Sequence, residues 1–455
     1  MKNKYAILSV VCLAAATVPF SGSSINLALK DIATELKMNA VALSWVVTSM
    51  MLPSAVLQIP FGKVGDMIGR KKLLVTGIIL FSAASFCCLF VESGALLLVM
   101  RFVQGIASAM MFGVSVAIIM NIFPREERGK AIGINTAVIY MALAAGPFLG
   151  GMATHYFGWR SIFLITALMG ILALLGVFRF MKNMDWKEEA SQGKFDRTGA
   201  AVYSVALICI LWGFSLLPAL KGALLTAGGL IALVVFIFYE KRQAAPMFDM
   251  NMFLRNRVFR MSLFAALINY AATFAVGFLI SLFLQYVKGF DARQAGWILL
   301  SQPVAMMCLS PLAGRLSDKA DAGRIATLGM AVIVVCLGLL LFLSPETPII
   351  ALIAVLLVLG AGFALFSSPN TNVIMSSVEK KHLGTASATT GTMRLVGQAF
   401  SMGITMMMIS VFIGQKQITA DVYPMLMKCL RWTFAVFAVL CCFGVYLSSI
   451  RKEKA

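Results

Sequence analysis

Charge is scarce in this chain, and charge of one sign is scarcer still. Of 455 residues only 13% are charged, and 19 acidic side chains stand against 38 basic ones. The 2 histidines, His155 and His382, lie far apart in loops. Catalysis by proton transfer or metal chemistry draws on clustered His, Asp and Glu. No such cluster occurs, so neither an enzyme nor a metal site nor a cofactor is expected. A phosphate loop of the G-x-x-x-x-G-K-[ST] type is also missing, which excludes an ATP-driven pump. The 9 cysteines form no C-x-x-C pair. Cys87–Cys88 and Cys441–Cys442 sit inside apolar runs and read as small apolar residues. Period-two alternation is absent, which excludes a membrane β-barrel. Polar surface is lacking too: 60% of the residues are hydrophobic and the mean hydropathy is +0.91. A water-soluble fold of this length would expose large sticky patches.

A bilayer removes that difficulty, because a spanning helix needs about 20 mostly apolar residues. Such runs lie near 6–29, 43–61, 73–91, 95–120, 131–154, 161–180, 199–217, 222–239, 260–287, 294–313, 325–343, 348–370, 385–412 and 429–449. The first is too long for a removable leader and reads as a retained spanning helix. The expected fold is an all-α integral membrane protein with fourteen transmembrane helices joined by short loops. The net charge of +19 does not point to nucleic acid, because the basic residues are spread through the loops. With the N-terminus in the cytoplasm, Lys and Arg favour the inner segments by about three to one, so both termini are expected to be cytoplasmic.

The stretch GKVGDMIGRKK, 62–72, gathers charge and glycine between two apolar runs. GRLSDKADAGR, 314–324, echoes it at the matching place later on: Gly314, then Asp318, then Gly323–Arg324. The chain therefore divides into six helices (1–180), two additional helices with their linkers (181–258) and six more (259–455). The two extra runs carry little polarity and are expected at the periphery. Parallel six-helix halves around a central ligand site are a transporter plan. In the first motif Gly62 and Gly69 would permit close packing, and the basic residues would hold the loop in the cytoplasm. Asp66 needs a partner at that depth, which Arg70 or a helix N-terminus can supply. A pair that forms in one conformation and breaks in another is a latch; Asp318 would serve the second half.

GKVGDMIGRKK resembles the loop signature of the major facilitator superfamily. RFVQGIASAMMFG, 101–113, resembles the fourth-helix motif of its proton-coupled antiporters. GINTAVIYMALAAGPFLGG, 133–151, resembles their fifth-helix motif, through Gly133, Ala142, Gly146–Pro147 and Gly150, with Ala142 where that family usually has Gly. FGWRSIF, 157–163, FSSPNTNVIM, 366–375, and TMRLVGQAFSMG, 392–403, are similar to the fourteen-helix drug/proton antiporters. The resemblance implies two six-helix bundles plus two extra helices, alternating access, an Asp66–Arg70 latch and a proton-coupling role for Arg101. It also implies that Gly146 and Pro147 kink or closely pack the fifth helix at the interface between the two halves. A monomer in a prokaryotic cell membrane is expected, with a small-molecule substrate, protons and the lipid bilayer as partners.

Candidate substrate and coupling residues are the polar side chains within apolar runs. A charge at the bilayer centre costs about 2.5–3.5 kcal/mol on insertion scales, which marks Arg101 and Arg394. Gln104 and Gln398 share their helical faces at i+3 and i+4. Ser21, Asn26, Asn135, Asn269, Gln302 and Asn370 complete the set, and Ser24, Gln58, Tyr140, Tyr270, Gln285 and Asn372 are further polar positions. No carboxylate falls mid-membrane. The fourteen-helix antiporters that the chain resembles commonly carry an acid a few residues before an N-x-A-L stretch. Here that stretch is NLAL, 26–29, and the matching position is Ser21. A cation in a low-dielectric cavity wants a carboxylate, so arginine without acid suits a neutral or anionic amphiphile. The expected function is export of amphipathic small molecules, coupled to protons. The alternatives are import or facilitated passage of a small neutral or anionic metabolite, and export without protons.

Overall fold

The structure is a computed structural model of the chain and describes residues 4–124, 127–182, 196–243, 253, 255–379 and 383–451. It places His382 and most of the linkers in 181–258 outside the described residues. Every apolar run becomes a helix, 14 of them long and apolar enough to cross a membrane. No strand occurs among the described residues, because a backbone in lipid must satisfy its own hydrogen bonds. The first six helices are α1 (Lys4–Glu35), α2 (Ala40–Ile68), α3 (Arg70–Cys87), α4 (Gly94–Ile122), α5 (Arg128–Phe157) and α6 (Arg160–Phe180). Two more follow, α7 (Arg197–Leu216) and α8 (Leu220–Glu240).

The next two helices are interrupted. α9 runs through Arg257–Thr273, Val276–Leu282 and a π turn at Phe283–Val287; α10 comprises Ala292–Leu299 and Ser301–Lys319. The last four are α11 (Ala322–Leu340), α12 (Ile349–Ser376), α13 (Leu383–Phe412) and α14 (Tyr423–Ser449).

Short polar side chains start these helices by accepting from the first free amides. Asn39 caps α2, Ser93 caps α4, Asp196 caps α7 and Asn256 caps α9. Asp291 and Gln294 close a reciprocal capping box on α10. Loops therefore need few residues, and much of the charge lies in the end turns of the helices, as with Lys63, Asp66, Arg70, Lys71 and Lys72.

Helices α1–α6 pack chiefly on one another, as do α9–α14. Leu175, Phe178, Val335, Phe342 and Ile350 are more than half exposed on the outer faces, which is where the excess of apolar residues goes. The extra pair is more than a peripheral hairpin. α8 exposes Leu224, Ile231, Val234 and Phe238, but α7 packs through Tyr203, Leu207 and Leu211 on Leu52 and Val56 of α2 and Leu395 and Ala399 of α13. It thus touches both groups of six.

The first and last described residues, Lys4 and Arg451, lie at the end of the bundle that carries residues 62–72. There Lys4 Nζ pairs with Glu127 at 2.6 Å, and Lys71 donates to the Met181 carbonyl at the end of α6. At the far end the two groups are sealed together. A Cβ on Gly151 would meet the Ala292 carbonyl at 2.5 Å, and one on Gly296 would meet the Pro147 carbonyl at 2.5 Å, so α5 and α10 touch backbone to backbone. Lys30 Nζ donates to the Gln285 carbonyl (2.9 Å), Ser281 Oγ to the Asn26 carbonyl (2.6 Å), and Asn39 Nδ2 to Gln415 Oε1 (2.6 Å). Arg293 Nη1 donates to the Tyr156 hydroxyl (2.8 Å), and His155 Nδ1 lies 3.6 Å from Asp291 Oδ2.

Candidate functional site

Midway along the helices, below the seal, the two groups enclose a cavity of about 170 Å³. Its wall draws on α1, α2, α4 and α5 from one group and on α9, α10, α12 and α13 from the other. Among the expected residues Asn26, Arg101, Gln302, Arg394 and Gln398 line it. Among the described residues that line it, none is Asp, Glu or His.

The two arginines differ. Arg101 is fully buried. Its Nε donates to the Val46 carbonyl (3.0 Å), and its Nη1 donates to Ser21 Oγ (3.0 Å) and to Gln104 Oε1 (2.9 Å). Gln104 Nε2 donates onward to Ser85 Oγ at 2.8 Å. A Cβ on Gly105 would meet the Met50 carbonyl at 2.2 Å, so α2 and α4 approach closely enough for Val46 to receive the guanidinium. Ser21 and Gln104 thus stand behind Arg101 and hold it. Arg394 is half-buried and has no hydrogen bond or ion pair with any described residue. Its guanidinium carbon rests 6.0 Å from the centre of the Phe112 ring, across from α13 to α4.

Three expected residues stand elsewhere. Asn370 belongs to a buried cluster near the chain's end, donating to the Ser262 carbonyl (3.2 Å) and accepting from Arg451 Nη1 (2.9 Å). Burial of that guanidinium pushes Arg451 down to about 10. Asn135 and Asn269 are buried but do not line the cavity. A polar residue in an apolar run announces that it is buried, not the direction it faces.

Other groups complete the wall. The Tyr140 hydroxyl lies 2.9 Å from Ser367 Oγ and 3.4 Å from the Tyr270 hydroxyl, so α5, α9 and α12 share a chain of hydroxyls at the cavity. Both tyrosines were visible as polar positions within apolar runs. Ser23, Ser54 and Thr273 also line the cavity; small hydroxyls are common in spanning helices and carry no signal of their own. Beside them α9 breaks at Phe274–Ala275, where the freed Ala275 amide donates to Ser401 Oγ at 3.0 Å. Interrupted helices at the membrane midplane form ligand sites in transporters.

The sequence profile of the Major Facilitator Superfamily matches residues 11–402 and again 263–454, so the second six helices match it by themselves as well as within the whole. The chain belongs to that superfamily. It is similar to the riboflavin transporter RibZ of Clostridioides difficile (strain 630), with 30% identity over 87% of this chain and 86% of that one. It is also similar to the multidrug resistance protein Stp of Mycobacterium tuberculosis (strain CDC 1551 / Oshkosh), with 29% identity over 84% of this chain and 71% of that one. Among solved structures the nucleoside transporter NupG shares the fold, with a TM-score of 0.65 at 12% identity over 98% of this chain and 100% of that one. The protein is a multi-pass membrane transporter and not an enzyme.

The superfamily's loop and fifth-helix residues have concrete positions here. Asp66 Oδ1 accepts from Arg70 Nε and Nη2, both at 2.8 Å, and Arg70 Nη1 reaches the Ala117 carbonyl at 3.5 Å. Gly62 packs closely, with the Gly113 carbonyl 3.3 Å from where its Cβ would be. Gly69 does not: it has open space around it and a φ of +102°. Its glycine serves the sharp turn from α2 into α3. Asp318 is in the last turn of α10, and its side chain lies outside the described residues. On α5 a Cβ at Gly146 would fall 1.8 Å from Ser23 Oγ, and one at Gly150 would fall 2.5 Å from Ser24 Cβ. Ser24 Oγ donates to the Gly146 carbonyl at 3.0 Å. Gly146 thus packs α5 onto α1 within the first group and not across the interface between the halves, whereas Pro147 lines the cavity and its carbonyl meets Gly296 of the second group. Ala142 is buried beside Ala16 and Phe20. Gly133 has nothing within 4 Å.

Proposed function

We propose that this transporter exports amphipathic small molecules, neutral or anionic, by alternating access. The observation that carries this reading is the cavity itself: apolar walls, two arginines and no acidic lining residue. Apolar walls and adaptable methionines such as Met50, Met51 and Met306 accept varied apolar bodies. In this reading α1–α6 and α9–α14 rock as two bodies, and both termini face the cytoplasm of a prokaryotic cell, with the seal at the outer face. The cavity is then closed to the outside and poised to load from within. The named activities of similar proteins, multidrug resistance and riboflavin transport, support passage of such molecules and leave the direction to experiment.

Export in exchange for protons is the first form of the proposal, with the protein acting as a monomer. A second form, export without protons, is favoured by the absence of any Asp, Glu or His from the cavity wall. The test uses proteoliposomes containing only this protein, with a trapped pH dye and amphiphiles of each charge class. Substrate-evoked proton movement establishes antiport. Substrate flux with no proton movement leaves the second form, and no flux of any class removes the transport reading.

A further inference from the structure

The cavity holds one arginine that is committed and one that is not. Arg101 spends three donor contacts on Val46, Ser21 and Gln104 and is fully buried. Its position is set before any substrate arrives. Arg394 faces the same cavity from the opposite group of helices with its fork of donors unused by any described residue, resting against the Phe112 ring. A guanidinium removed from water without an acceptor is costly, and the planar fork suits a bidentate anion. Gln398 lies one turn on along α13 and also lines the cavity. The Tyr140 and Tyr270 hydroxyls add donors on the adjoining wall. Aromatic surface adjoins this polar corner: Phe112 lies under Arg394, the Phe363 ring packs 5.5 Å from that of Tyr270, and Phe274 also lines the cavity.

We propose that Arg394 is the substrate-binding arginine of this transporter, and that the substrate it takes is a flat aromatic organic anion, with Gln398 beside its charged group. This rests on the transport reading above and narrows its substrate class. Arg101 is a positioning residue, which holds α1, α2 and α4 in register around the aromatic body. Loading also has a conformational consequence. The Arg394–Phe112 contact bridges the two groups of helices, so an anion that draws the guanidinium off the ring exchanges that weak contact for a link made through the substrate. The charge bears on the energy source too. A monoanion leaving a negative-inside cell moves with the electrical field, so it needs no titrating acid in the wall to drive it out.

The test uses two dyes with the same xanthene ring system, anionic fluorescein and cationic rhodamine 123, with the full-length protein. Binding is read in detergent by fluorescence anisotropy and flux in proteoliposomes. The wild type is expected to bind fluorescein at least tenfold more tightly than rhodamine 123. Arg394→Gln is expected to weaken fluorescein binding at least tenfold and to leave rhodamine 123 unchanged or tighter. Arg394→Lys, which keeps the charge and loses the fork, should fall between, and its monodisperse elution controls for folding. Arg101→Lys should lower flux of every dye alike without changing the preference between charges. Wild-type preference for the cation, or fluorescein binding that Arg394→Gln leaves intact, overturns the proposal while export of other amphiphiles still stands. Absence of flux for anionic, neutral and cationic probes alike overturns the transport reading and this proposal with it.

Discussion

Arg101 Nη1 stands 3.0 Å from Ser21 Oγ, deep inside the first six helices. Ser21 is where the fourteen-helix antiporters that this chain resembles commonly place an acid. The serine turns what would be a buried ion pair into a hydrogen bond between a cation and a neutral hydroxyl, so Arg101 keeps its full charge next to the cavity. Ser21→Asp should create the pair, because the carboxylate would need to move little to reach the guanidinium. We expect the variant to gain substrate-evoked proton movement and to accept cationic dyes at least tenfold better than the wild type, as read by internal pH and dye flux. Ser21→Ala should cost about 1.5–3 kcal/mol of stability through the lost hydrogen bond to a charged donor.

Two glycines of the fifth-helix motif should respond in opposite ways. Gly146→Ala drives a methyl group into Ser23 and the Ser24 amide, and overpacking of this kind costs about 1–3 kcal/mol. Gly133→Ala meets open space within a helix and should stabilise by about 0.5–1 kcal/mol. Melting temperatures in detergent separate the two; equal shifts would contradict the packing described.

Asp66 and Arg70 form an ion pair with side chains 30% and 22% exposed. Pairs open to water contribute about 0.2–1 kcal/mol, so Asp66→Asn should barely change the melting temperature. If the pair is a latch, transport should nevertheless fall at least threefold, since Arg70 would lose its hold beside the Ala117 carbonyl of α4. A melting loss much larger than the transport loss would make the pair a structural clamp.

His155 and Asp291 join α5 to the start of α10 in the far-end seal, beside the Arg293–Tyr156 hydrogen bond. His155→Ala should loosen that contact, so a cysteine placed at Thr273 should react faster with a reagent added on that side. An unchanged rate would place the closure in the Gly151–Ala292 and Gly296–Pro147 approaches alone.

An anionic substrate also makes export responsive to membrane potential. One charge crossing 100 mV gains about 2.3 kcal/mol, roughly fiftyfold in accumulation. Fluorescein efflux from vesicles clamped with potassium and valinomycin should rise with inside-negative potential even when no pH gradient is present. Efflux that follows the pH gradient and ignores the potential would restore proton exchange as the driving force.

Much of this architecture is legible from local chemistry. An apolar run of about 20 residues in lipid has little choice but to be a helix. The starts read from hydropathy fall close to the helix starts that Asn39, Ser93, Asp196 and Asp291 cap, whereas helices such as α1 and α2 run on past the apolar run to Glu35 and Ile68. The repeat of the 62–72 stretch at 314–324 marks the division of the chain, and the carboxylate missing at position 21 is visible without any structure.

Which polar side chain faces which space is another matter. Facing depends on helix rotation, and rotation is set by contacts between helices far apart in sequence: Gly146 on Ser23, Gly105 on Met50, Gly151 on Ala292. Those approaches turn Arg101 into a buried, three-bonded anchor and leave Arg394 loose over Phe112, although both look alike in the chain as single arginines in apolar runs. They also send Asn370 to a cluster with Arg451 and away from the cavity, and bring Tyr140 and Tyr270 together across the two groups. The sequence by itself determined that this protein spans a membrane fourteen times and places no acid midway along a spanning run, because hydropathy and composition act residue by residue. Only the tertiary structure decided which arginine is free to meet a ligand, because a hydrogen-bond partner from another helix exists only once the helices have packed.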